Sequence, residues 1–172
     1  MTDAIRLVAV SAADGPTSKT RALVAAVVSE RGGELIDLSE LSADGLLGRR
    51  EDRDVTRAVQ AAAEAHVLVV ATPVYRATYT GALKAFFDRF PPAALAHTAV
   101  VLVATAAVRE HYLALDTSGR ALIASLDGWT IPAVVYATGD DFVDGRPTPA
   151  VLDALRAAVD QAARAARAIA AQ

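Results

Sequence analysis

The segment Ala71-Thr-Pro-Val-Tyr-Arg-Ala-Thr-Tyr-Thr-Gly-Ala-Leu-Lys-Ala-Phe-Phe-Asp-Arg-Phe90 indicates the class of fold. It continues the apolar run His66–Ala71, which predicts a parallel strand buried on both faces. It ends in a predicted helix over Thr80–Phe90, whose apolar residues recur at helical intervals and whose N-cap is Thr80. Pro73 begins the loop between them, at the carboxyl end of a central strand, where open α/β sheets bind their ligands.

Strands and helices alternate along the rest of the chain. The apolar runs predict five strands, over residues 5–10, 34–37, 66–71, 98–105 and 131–138. Helices are predicted from residue 18 to Gly32-Gly33, over residues 54–65 and 80–90, and from residue 147 onward. A further helix is predicted over residues 110–126, with an interruption at Ser118-Gly119. This alternation predicts a flavodoxin-like three-layer α/β sandwich around a five-stranded parallel sheet in the order 2-1-3-4-5. A length of 172 residues predicts one such domain, residues 1–172.

The composition argues against several classes of function. The net charge is −3 and the 17 Lys and Arg are scattered, so no basic face for nucleic acid is indicated. Cysteine is absent and the three histidines lie far apart, which argues against a catalytic thiol and a metal site. The longest uncharged apolar run is well short of the ~20 residues of a membrane span, and the N-terminus does not resemble a signal peptide. We therefore expect a soluble cytoplasmic protein with no nucleic-acid or membrane partner.

The loop after the first strand has the features of a phosphate site. A helix N-terminus offers unpaired N–H groups and partial positive charge, to which Ser18, Lys19 and Thr20 would add hydroxyl groups and an ammonium group. The residues match neither a Walker loop, which needs Gly directly before the Lys-Thr pair, nor the G-x-G-x-x-G fingerprint. A helix that Thr17 or Ser18 simply caps explains the loop at least as well.

The loop after the third strand has the features of a site for a planar heterocycle. Pro73 fixes the backbone that leaves the strand, and Val74, Tyr75 and Arg76 would offer main-chain amides and an aromatic edge. Tyr79 would cover the same face or lie in a contact between subunits, with ordinary half-buried packing as the alternative for both tyrosines. Because the loops after strands one, three and four meet at one edge of such a sheet, we expect them to share a cleft.

Taken together, these loops resemble the NAD(P)H-dependent FMN reductases, in the branch that serves alkanesulfonate assimilation. Thr72–Asp88 carries the specific match, and Pro16-Thr-Ser-Lys-Thr20 is similar to the family's P-S-R-[ST] phosphate loop, with Lys19 where arginine is usual. Ala104–Ala107 and His111–Asp116 resemble the loop and the helix that cover the flavin in that branch.

The resemblance implies an NAD(P)H:FMN oxidoreductase without a catalytic side chain, because the two cofactors perform hydride transfer themselves. It places the FMN phosphate at Ser11, Ser18, Lys19 and Thr20, and the flavin ring at Pro73, Val74, Tyr75, Arg76, Thr105 and Ala106. It also implies that reduced FMN goes to a flavin-dependent monooxygenase of a two-component system. The expected assembly is a homodimer or a homotetramer.

Two departures from the family pattern bear on how the flavin is held and handed over. The opening Ser11–Asp14 is one residue longer and acidic where a base is common, which weakens the expected phosphate site. Thr117 stands where reductases that pass flavin to a partner can carry an aromatic residue. The alternatives are a reductase of quinones, azo dyes or metal oxyanions that keeps its flavin, and, from another class, a flavodoxin-like electron carrier. No ribose-reading motif distinguishes NADH from NADPH.

Overall fold

The computed structural model describes residues 5–15 and 17–171. Its strands and helices are β1 Leu7–Ser11, α1 Lys19–Glu30, β2 Glu34–Asp37, α2 Ala43–Leu46, α3 Arg53–Ala63, β3 Val67–Pro73, α4 Gly81–Phe87, β4 Ala99–Thr105, α5 Arg120–Ala124, β5 Trp129–Ala137, β6 Phe142–Val143, β7 Arg146–Pro147 and α6 Pro149–Ile169. Short 3-10 turns lie at Leu38–Glu40, Arg109–His111 and Gly139–Asp141, and a π-helical segment lies at Leu115–Gly119.

The main sheet has five parallel strands in the order β2-β1-β3-β4-β5, which confirms the predicted topology. Val10 of β1 lies opposite Ile36 of β2 and Val70 of β3. Every residue of β4 is buried, as is every residue of β3 except Pro73. The continuous apolar runs in the sequence therefore arise because helices cover both faces of the central strands.

Each face of the sheet carries its own hydrophobic core. Helices α1 and α6 cover one face, with fully buried Leu23 and Leu155 against it. Helices α3, α4 and α5 cover the other, where the ring of Phe86 is fully buried. The rings of Phe86, Phe87 and Phe90 pack with centroids 5.0–5.6 Å apart. These three aromatic side chains are therefore part of the hydrophobic core. In the part of the chain that the structure describes, no helix has the length and apolarity to cross a membrane.

The helix predicted over residues 110–126 is interrupted at Ser118-Gly119, as predicted, but the segment before the interruption does not form a regular α-helix. The structure has a 3-10 turn, then the π-helical segment Leu115–Gly119, and only then the short helix α5. The hydroxyl groups of Thr117 and Ser118 donate to carbonyl oxygens about one turn earlier, at 3.1 and 2.6 Å. Such bonds from Ser and Thr side chains compete with the backbone ladder and bend helices, which accounts for the interruption.

The hairpin of β6 and β7 was not predicted. Its strands are two residues each and pair antiparallel around Asp144-Gly145. Both turn residues have positive φ, 49° and 76°, as a type I′ hairpin turn requires. The Asp-Gly pair is a known hairpin signal, but strands this short show no periodicity in the sequence.

Candidate functional site

A cleft of about 390 Å³ lies at the carboxyl edge of the sheet, where β1, β3, β4 and β5 end. It is lined by Ser18, Lys19, Thr20, Pro73, Val74, Tyr75, Thr105, Ala106, Ala107, Ala137, Thr138, Gly139 and Phe142. The loops after the first, third and fourth strands therefore meet, as the topology predicts. The loop after β5 forms a fourth wall of the cleft, which we did not predict from the sequence.

Eight of the ten residues proposed for cofactor binding line this cleft, and Ser11 and Arg76 do not. Ser11 is the last residue of β1, is fully buried, and its hydroxyl has no partner among the described residues. Ser11 lies outside the cleft because it is still part of the buried strand β1, which extends one residue further than predicted. Arg76 is exposed on the turn after β3, and its side chain lies outside the cleft because the backbone reverses there.

One end of the cleft is electropositive. Ser18 is the N-cap of α1, and its side-chain oxygen accepts a bond of 3.1 Å from the amide of Thr20. Within residues 5–15 and 17–171, the amides of Lys19 and Arg21 have no acceptor. The Lys19 ammonium lies 5.4 Å from the ring centre of Phe142, and no described carboxylate lies within 4.0 Å of it. An anion at this end would meet the helix N-terminus and an uncompensated cation together.

Two hydrogen bonds connect the elements that line the cleft. The hydroxyls of Thr20 and Thr105 lie 2.5 Å apart and are buried, which joins α1 to the end of β4. The amide of Val74 donates to the carbonyl of Thr105 at 2.8 Å, which continues the β3–β4 ladder beyond Pro73. The hydroxyl groups of Thr20 and Thr105 are therefore each other's hydrogen-bond partner, and their main effect is to fix the start of α1 against the end of β4.

A strained turn forms the wall after β3. The amide of Tyr75 donates to the carbonyl of Thr78 at 3.0 Å, and the reverse bond is 3.2 Å. Between them Arg76 and Ala77 have φ of 52° and 63°. Two consecutive left-handed residues make a type I′ turn, which ordinarily takes Asn-Gly. Non-glycine residues are strained in this conformation, and contacts with the surrounding residues must compensate for that energetic cost. Tyr75, which precedes them, is 52% exposed and lines the cleft.

Thr80 ties this wall to the loop after β1. Its side-chain oxygen accepts from the amide of Leu83 at 3.3 Å, so the predicted N-cap of α4 is confirmed. The same hydroxyl donates to the carbonyl of Ala12 at 3.2 Å, and the amide of Thr80 donates to the hydroxyl of Thr72 at 3.1 Å. One buried threonine thus joins a helix start, a strand end and the neighbouring loop.

A second bond joins the same two loops at the mouth of the cleft. The phenol of Tyr75 donates to Oδ2 of Asp14 at 2.9 Å. This hydrogen bond, with partial burial and the nearby negative charge, raises the pKa of Tyr75 above its ordinary value. Asp14 is exposed and is not among the residues that line the cleft.

The wall after β5 contains residues that line the cleft but were not predicted from the sequence, namely Thr138, Gly139 and Phe142. Thr138 and Asp141 form a reciprocal cap, in which the amide of Thr138 donates to Asp141 Oδ2 at 2.8 Å. Gly139 faces the cation, since a Cβ atom added there would lie 3.9 Å from Lys19 Nζ. Phe142 places its ring beneath the same ammonium group. The available signal was topological, because the end of strand five lies at the same edge of the sheet as the ends of the other strands.

Comparison with known proteins gives consistent matches along the chain. The family model described as NADPH-dependent FMN reductase matches residues 5–142. An NADH-dependent FMN reductase, SfnF, of Pseudomonas fluorescens is 35% identical over 95% of this chain and 92% of that protein. An FMN reductase (NADPH) of Pseudomonas aeruginosa is 36% identical over 95% of this chain and 93% of that protein.

Solved structures agree with these matches. The apo form of the NADH:FMN oxidoreductase EmoB is 31% identical, has a TM-score of 0.82, and covers 94% of this chain and 89% of its own. A WrbA-like flavodoxin from Agrobacterium tumefaciens is 16% identical with a TM-score of 0.67, covering 96% and 98% of the two chains. The second match bears on the fold alone, which is flavodoxin-like.

Proposed function

Because this chain belongs to the NADPH-dependent FMN reductase family, and is thus an NAD(P)H:FMN oxidoreductase, we propose that the cleft at the carboxyl edge of its sheet binds FMN. The observation that carries this assignment is the meeting of the α1 N-terminus with an uncompensated lysine at one end of an otherwise uncharged cleft. The proposal treats residues 1–172 as one functional domain.

The electropositive end would take the FMN phosphate. Free amides at Lys19 and Arg21, the hydroxyl hydrogen of Ser18 and the Lys19 ammonium are donors of the kind that a phosphate dianion requires. Thr20 would act through its bond to Thr105, since its amide and its hydroxyl both already have partners. The residues present therefore fit the phosphate group.

The other end would take the flavin ring, against Pro73, Val74 and Tyr75 on one side and Thr105 and Ala106 on the other. Hydride transfer between nicotinamide and flavin is chemistry that the cofactors supply when bound. The part of the chain is to position the rings and to provide donors near the flavin.

The donors in this wall come from the turn after Tyr75. The amide of Tyr75 is occupied by Thr78. In the described part of the chain, the amides of Arg76 and Ala77 have no acceptor. Arg76 would thus contribute through its backbone while its side chain stays outside the cleft.

We also propose that reduced FMN leaves the cleft to serve a flavin-dependent monooxygenase, and that the chain acts as a homodimer or homotetramer. Val108, Tyr112 and Leu113, in the segment that follows the cleft residue Ala107, are 45%, 57% and 50% exposed. Their exposed apolar surface supports a contact with another chain. Light scattering on the purified protein measures the assembly. Saturation of NAD(P)H oxidation by added FMN supports release, whereas oxidation that added FMN does not accelerate would favour a reductase that keeps its flavin.

The phosphate assignment has a direct test. Replacing Ser18 and Lys19 by alanine should weaken FMN binding by about 1–3 kcal/mol, the scale for losing charged hydrogen bonds. Binding of riboflavin, which has no phosphate, should change little. Lys84→Ala is the matched control, because Lys84 is exposed and paired with Asp88 on α4. Equal FMN affinity in the double variant and the wild type, measured by flavin fluorescence, would refute the assignment.

A further inference from the structure

A carboxylate is held at the mouth of the phosphate-binding end. Asp14 lies three residues beyond the end of β1 and four residues before Ser18, the N-cap of α1. Its Oδ2 accepts the phenol hydrogen of Tyr75 at 2.9 Å, and Tyr75 lines the cleft. The position of this carboxylate is therefore set by a residue of the opposite wall.

The charge of Asp14 is not neutralised nearby. No lysine or arginine nitrogen of the described residues lies within 4.0 Å of its carboxylate. The phenol of Tyr75 donates a hydrogen bond to this carboxylate but carries no positive charge. A doubly charged phosphate at Ser18 and Lys19 would meet this negative charge across the loop.

We propose that Asp14 lowers the affinity of the chain for FMN by repelling its phosphate, and that Tyr75 is the positioning residue that holds the carboxylate where it does so. This inference rests on the proposed function, because it assumes that the cleft binds FMN. Lys19 attracts the phosphate while Asp14 offsets part of that attraction, so the bound flavin exchanges readily. Asp14 would thereby set how strongly the chain prefers FMN over riboflavin.

The size of the effect follows from Coulomb's law. At separations of roughly 6–10 Å in a medium close to water, a unit charge and a phosphate dianion repel enough to change affinity about threefold to tenfold. Added salt screens this repulsion, since the Debye length is about 10 Å at 0.1 M and about 3 Å at 1 M.

Asp14→Asn tests the proposal, because asparagine keeps an acceptor for the Tyr75 phenol and removes only the charge. We expect the dissociation constant of FMN to fall about threefold to tenfold at low salt. The gain should shrink at 1 M salt, and riboflavin affinity should stay the same. Asp127→Asn is the control, since Asp127 is exposed and precedes β5 at the opposite edge of the sheet. Its φ of 61° suits asparagine as well as aspartate.

Tyr75→Phe tests the positioning role while keeping the aromatic ring. Release of the carboxylate into solvent should tighten FMN binding by less than Asp14→Asn does, and the phenylalanine should have no effect in the Asp14→Asn background. Unchanged FMN affinity in Asp14→Asn, or an equal gain for riboflavin, would overturn the inference and leave the proposed function standing. A wild-type chain that binds riboflavin as tightly as FMN, with no response to salt, would overturn both.

Discussion

Replacing Thr80 by valine should remove two hydrogen bonds from the molecule while keeping the shape of the side chain. Thr80 is 7% exposed. Its hydroxyl accepts from the amide of Leu83, which begins α4, and donates to the carbonyl of Ala12 in the loop after β1. Valine fills the same volume, so the change leaves the amide and the carbonyl without these partners and makes no cavity.

The expected cost follows from these two bonds. Loss of a helix N-cap costs about 1 kcal/mol, and loss of a second hydrogen bond to a buried carbonyl costs about 1–2 kcal/mol. We therefore expect Thr80→Val to lower the free energy of unfolding by about 2–3 kcal/mol. Thr80→Ser is the matched control, because serine keeps both bonds and loses only a methyl group, worth about 1 kcal/mol.

Urea denaturation followed by far-UV circular dichroism measures both variants. The midpoint should fall further for valine than for serine, with the same dependence on urea concentration, since the exposed surface on unfolding is unchanged. A valine variant at least as stable as the serine variant would show that the Thr80 hydroxyl does not hold the two loops together.

Replacing Arg76-Ala77 by Asn-Gly should stabilise the fold by about 1 kcal/mol, because both residues have positive φ; a lower urea midpoint would contradict strain in this turn. Gly33→Ala should destabilise the fold by about 1–3 kcal/mol, because its Cβ would lie 2.8 Å from a carbonyl oxygen of β1. Gly81→Ala, whose Cβ would meet no heavy atom within 4 Å, should cost nothing in the same assay. The hydrogen bond from Arg31 lowers the pKa of Asp160, so stability present near neutral pH should be lost as the pH falls through that lowered value. Asp160→Asn should make this acid loss shallower in urea midpoints measured between pH 3 and pH 7.

Much of the architecture follows from local patterns. The apolar runs at β3 and β4 predict buried parallel strands, and the structure places both in the middle of the sheet. The cap at Thr80 was predicted because threonine is a preferred N-cap residue, whose side-chain oxygen can accept from an unpaired amide of the first turn. The predicted interruption at Ser118-Gly119 is present, but before it the hydrogen bonds from the Thr117 and Ser118 side chains to the backbone overrode the helical pattern that begins at residue 110.

By itself, the sequence determined the class of the sheet, the order of its strands and three of the four loops that border the cleft, because these depend on hydrophobic periodicity and on the handedness of crossovers. Only the tertiary structure decided which side chains enter the cleft. The bond between Thr20 and Thr105 joins residues 85 positions apart, and that between Asp14 and Tyr75 spans 61 positions. Such contacts depend on the distances between strand ends after folding, which no local pattern in the chain encodes.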